Sequence, residues 1–161
     1  MHKKTGNVHS KEKKESLVMN ANAELLNFVY QNSQMGVDSL QQLLDIVKKE
    51  DFKEYLEKQL VGYEEFHKQA KEKLNANNLD EKGLNTFEKV RTYLMINVQT
   101  MMDKSTSHIA EMLITGSTMG IIDAVKKLHQ YEGCIEPDIR KLMEDLLQFE
   151  QENVETLKKY L

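Results

Sequence analysis

Glu64 and His67 stand three residues apart. On a helix that spacing puts a carboxylate and an imidazole on one face, where both can reach a single metal ion. Glu150 and Asn153 repeat the spacing, with an amide in place of the imidazole. A third pair, His108 and Glu111, follows directly after Asp103-Lys104-Ser105-Thr106-Ser107, a run of residues better suited to capping a helix than to binding a ligand. Other chemistries lack their residues. There is no Gly-rich phosphate loop, no serine-triad spacing and no zinc motif. Cys134 is the only cysteine, so neither an internal disulfide nor a thiolate cluster can form. The nine methionines suit adaptable core filling rather than a copper or haem site.

Such side chains act together only if the chain positions them. One proline, seven glycines and no tryptophan in 161 residues, against many Leu, Glu, Lys and Gln, predict an all-α protein. Apolar residues recur at helical spacing almost throughout. The first helix is expected over 22–49, with Leu26, Val29, Ser33, Gly36, Leu40, Leu43 and Val47 on one stripe. Asp51 and Glu54 resemble a capping box and open a second helix over 51–75, which presents Phe52, Leu56, Leu60, Tyr63, His67, Ala70 and Leu74. A link of one to three residues makes these two an antiparallel hairpin, and Gly36 and Gly62 would let their backbones approach closely.

Asn77-Asn78 and Gly83 mark a break, and Asn85 with Glu88 starts the next helix. A single helix from there to Tyr131 would be about 70 Å long, more than a compact domain can cover. The capping run at Asp103–Ser107 therefore divides it into a connecting helix over 85–103 and another over 105–131. Pro137 fits the first turn of a last helix over 137–161.

Charge separates the two ends of the chain. Residues 1–20 hold five lysines and two glutamates, a net +3 that leaves −7 for the remainder. This segment reads as a disordered basic tail ahead of a domain over 21–161. An acidic body makes nucleic acid an unfavoured partner, open only to the tail. No apolar run is long enough to span a membrane, and with no export signal and a lone cysteine the expected compartment is the cytoplasm.

An internal repeat ties these observations together. Ser33-Gln34-Met35-Gly36-Val37 resembles Ser117-Thr118-Met119-Gly120-Ile121 at an offset of 84. Leu60, Tyr63-Glu64 and His67 resemble Leu146, Phe149-Glu150 and Asn153 at an offset of 86. The first hairpin is thus duplicated as the second, with 85–103 left to carry the chain from one end to the other.

In this layout the chain resembles the ferritin-like superfamily, including rubrerythrins and bacterioferritins. The resemblance implies an antiparallel four-helix bundle with an additional crossover helix. In each half a first-helix Glu would be followed, roughly thirty residues later, by Glu-x-x-His. The implied first-helix ligands fall near Gln31 and near Thr115–Ser117, where this chain has no Glu. Only Glu64, His67 and Glu150 remain, in a polar layer with Gln31, Ser117 and Asn153. The chain is also similar to helical proteins of Gram-positive anaerobes that carry a Ser-x-Met-Gly-Ile-like segment, a likeness that implies no function.

Two carboxylates and one imidazole cannot offset the charge of two metal ions in an apolar core. The resulting expectation is a non-enzymatic binding or structural protein with a vestigial site. The alternative is a protein of iron handling or oxidative-stress defence that keeps one divalent ion, iron or zinc, between Glu64, His67 and Glu150. If the site is vestigial, Glu64 leans to solvent and His67 bonds Gln31, Ser33 or Asn153. The apolar connecting segment (Phe87, Tyr93, Leu94, Ile96, Val98, Met102) exceeds what a crossover must bury, which predicts a homo-oligomer, a dimer in its simplest form.

Overall fold

The computed structural model describes the backbone of residues 5–81 and 88–161, and side chains over 6–81 and 92–161. Every element among them is helical: α1 (Thr5–Leu44), α2 (Glu50–Ala76), α3 (Glu88–Gln99), α4 (Thr106–Gln130), α5 (Pro137–Leu157) and a closing 3₁₀ turn at Lys158–Tyr160. His2-Lys3-Lys4, Gly83, Asn85 and Phe87 lie outside the described residues or side chains.

The first helix differs from expectation at both ends. It reaches back to Thr5, through the segment assigned to a disordered tail, and residues 6–17 on it are exposed. Lysine, glutamate and leucine are good helix formers, and continuing an existing helix avoids the cost of nucleating one. At its other end α1 stops at Leu44, because the Ile46 and Val47 amides both turn back to the Leu43 carbonyl. The link to α2 is therefore residues 45–49, longer than expected. Lys49 holds the N-cap position of α2 without a side-chain bond, so Asp51 sits inside the first turn and accepts from the Phe52 amide at 2.9 Å. Its charge there still complements the helix dipole.

Hydrogen bonds set the helix directions. Asn27 donates to the Asp80 carbonyl and Tyr30 to Glu81, so the chain leaving α2 has returned beside the middle of α1. The Lys127–Glu24 ion pair brings the end of α4 to that same level, and Asn22 accepts from the Glu136 amide where α5 begins. Helices α1 and α5 run one way, and α2 and α4 the other. Between α2 and α4, α3 carries the chain back along the bundle. It stops at Gln99, and Ser105 caps α4 by accepting from the His108 amide. That bond, at 3.2 Å, involves only the backbone of His108 and leaves the capping role with Ser105.

One core joins the helices. Leu25, Leu26, Leu40 and Leu43 of α1 are fully buried with Phe52, Leu56 and Leu74 of α2, Ile109 and Met112 of α4, and Ile139 and Met143 of α5. The 3₁₀ turn folds Tyr160 back onto Phe52, with ring centroids 4.7 Å apart. None of the described helices is long and apolar enough to cross a membrane.

Candidate functional site

Leu146, Glu150, Asn153 and Leu157 share the buried face of α5. Glu150 is only 4% exposed and so lies in the bundle interior. An isolated carboxylate there would be costly, and it is satisfied from two other helices. Asn32 of α1 donates to Oε1 at 2.9 Å. The Tyr63 hydroxyl of α2 lies 2.8 and 2.9 Å from Oε1 and Oε2. The Ser117 hydroxyl of α4 lines the same small space as Glu150 and Tyr63 and favours the charged form of each.

Burial pushes the Glu150 carboxyl above the ordinary carboxylate range, opposed by the bonds from Asn32 and Tyr63 and by the Ser117 hydroxyl. Tyr63 is held well above the usual tyrosine value, first by burial and then by the neighbouring Glu150. At neutral pH it is a hydrogen-bond donor and not a base.

Two glycines make this arrangement fit. A Cβ on Gly36 would lie 2.6 Å from the Tyr63 ring, and one on Gly62 would lie 2.5 Å from the Phe149 ring. Each glycine therefore seats an aromatic ring from a neighbouring helix, which replaces the expected close approach of two backbones. The seated rings meet edge to face at 5.0 Å. The repeat does not extend to these contacts: a Cβ on Gly120, the counterpart of Gly36, would lie 3.0 Å from Asn32 Oδ1, while Phe149 goes to Gly62.

The residues expected to hold a metal are placed apart. Glu64 is exposed on α2, outside the layer. His67 is half-buried and stacks on Tyr30, with ring centroids 4.3 Å apart. Its Nδ1 is buried and makes none of the expected bonds to Gln31, Ser33 or Asn153. Burial and Lys71 lower the pKa of His67, against Glu81 and Asp38. No three His, Cys, Asp or Glu side chains among the described residues gather as a metal site. The donor set thus does not fit the one divalent ion, iron or zinc, that the sequence allowed.

The rest of the polar layer divides in two. Ser117 joins Glu150, whereas Asn153 lies one turn further on, accepting from the Tyr55 hydroxyl at 3.1 Å. Gln59 donates to the same hydroxyl at 2.9 Å. Gln31 is buried on α1, but its neighbour Asn32 is the residue that reaches Glu150. Sequence reasoning missed Asn32, Tyr55 and Gln59 and read Tyr63 as purely apolar. The available signal was an unusual density of amides and tyrosines on inward faces.

A cavity of about 30 Å³ adjoins Glu150, Tyr63, Gln59 and Ser117. Beyond it an open groove of about 400 Å³ runs between α1 and α3. No family model matches the chain, and neither a curated protein nor a solved structure matches it.

Proposed function

We propose that this chain is a ferritin-like helical bundle that acts as a non-enzymatic binding or structural protein, its centre a hydrogen-bonded polar layer in place of a metal site. The observation that carries this reading is the environment of Glu150. Its oxygens accept from Asn32 and Tyr63, both uncharged donors, with the Ser117 hydroxyl beside them. A carboxylate whose Oε1 already accepts from two residues is not free to bridge two metal ions, though it keeps room for one further donor. The helix directions support the ferritin-like part, with α3 in the place of a crossover between two antiparallel hairpins.

Metal analysis of protein purified without chelator, with an Fe(II) oxidation assay on the same sample, tests the reading. It predicts substoichiometric metal and no turnover. Two irons per chain with oxidation would contradict it, and one tightly held ion would favour the iron-handling alternative.

Self-association belongs to the same proposal. Ile96 is 55% exposed and Met102 97% exposed, while Leu94 of the same segment is buried. Sedimentation of the native chain should show a dimer, and I96E should give a monomer. A monomeric native chain at high concentration would remove this part of the reading.

A further inference from the structure

We infer that the cavity beside Glu150 and the groove between α1 and α3 form one site for a linear aliphatic polyamine, with one terminal ammonium in the cavity and the remaining amines along the groove. The inference rests on the reading of the central layer as a binding layer rather than a metal centre.

Shape gives the first argument. The cavity and the groove share Met35, Ser39 and Leu94 in their lining, so the two spaces adjoin at these side chains. About 30 Å³ is more than one water needs and suits a single small polar group. The groove, at about 400 Å³, has room for a slender chain leading away from it.

Chemistry selects the occupant. Apart from the Tyr63 phenol, which stays neutral, the ionisable side chains lining the two spaces among the described residues are Glu150, Asp38 and Asp45, all carboxylic acids. Their field favours a cation and opposes a carboxylate or phosphate ligand. Leu94, Met95 and Val98 supply apolar surface along the same groove, matching methylene segments rather than a compact hydrated metal ion. Asp38 on α1 and Asp45 in the turn just after it line the same groove seven residues apart, so they would meet separate amines of one molecule. In the cavity, the ammonium would add a charged donor to Glu150 beside the neutral donors already there.

The test is isothermal titration of the full chain with spermidine at fixed ionic strength, with magnesium and zinc chlorides titrated in parallel. Saturable binding of one spermidine per chain is expected, about tenfold weaker in D38N/D45N and about tenfold weaker in E150Q. The aspartate variant changes a groove at the surface, so it keeps the test decisive if E150Q does not fold. Absence of spermidine binding would overturn the inference. So would equal affinity in D38N/D45N, or magnesium displacing spermidine charge for charge, either of which means a diffuse acidic surface. Stoichiometric zinc binding lost in E150Q would instead overturn the underlying reading of the centre, a result separable from the spermidine titration.

Discussion

The Tyr63 hydroxyl and the Glu150 carboxylate meet across the α2–α5 interface, with the phenol oxygen 2.8 and 2.9 Å from the two carboxylate oxygens. Both residues are buried, and this contact joins the two hairpins at mid-height. Removing only the hydroxyl, in Y63F, leaves the ring on Gly36 and takes a donor from a buried carboxyl. A loss of about 1.5–3 kcal/mol is expected in urea unfolding. A change within error would mean that Asn32 and Ser117 suffice for Glu150.

The glycines that seat the rings should be intolerant of a methyl group. G36A and G62A each place a Cβ inside contact distance of a ring carbon, at 2.6 and 2.5 Å. Each is expected to cost about 1–3 kcal/mol through overpacking. G6A, with nothing within 4 Å of its Cβ, should instead stabilise α1 slightly because alanine is the better helix former. Thermal unfolding of the three variants checks the contrast, and equal behaviour would refute the packing argument.

His67 gives a pH dependence of known sign. Its folded-state pKa is lowered by burial and Lys71, against Glu81 and Asp38, so the unfolded chain takes up the proton first. Its stabilising contribution is present above about 6.5 and is lost as pH falls from there through the folded value. H67F keeps a ring against Tyr30 and removes the titration. The stability difference, variant minus native chain, should grow in the variant's favour between pH 7 and pH 5. A difference independent of pH would show that His67 does not titrate abnormally.

The legible part of this molecule was periodic. Buried Leu26, Val29, Leu40 and Leu43 lie on the stripe read from the sequence, and the Ser105 cap lies within the run read as dividing two helices. Pro137 likewise stands in the first turn of α5. The centre was less legible because a helix turns about 100° per residue, so Gln31 and Asn32 differ in direction though not in character. Spacing placed Glu64 beside His67, and only the vestigial reading turned the former to solvent, where it lies. The Tyr63 hydroxyl was hidden because its ring alone explains its place on an apolar face.

Glu150 has the opposite linkage to His67. Burial raises its folded-state pKa, so its contribution to stability is greatest below about 4.3 and falls as pH rises through the folded value. E150Q should lack that decline. Comparing unfolding free energies of the two chains from pH 4 to pH 8 isolates the effect, and parallel curves would contradict it.

The most direct test is the titration of the Glu150 side-chain carboxyl by carbon-13 NMR, assigned by its absence in E150Q and recorded with and without zinc. A buried carboxyl closed by Asn32, Tyr63 and Ser117 should titrate above the ordinary glutamate range, with a midpoint that zinc does not move. A midpoint at or below that range, or one displaced by stoichiometric zinc, would contradict the account and make Glu150 a metal ligand or an open carboxylate.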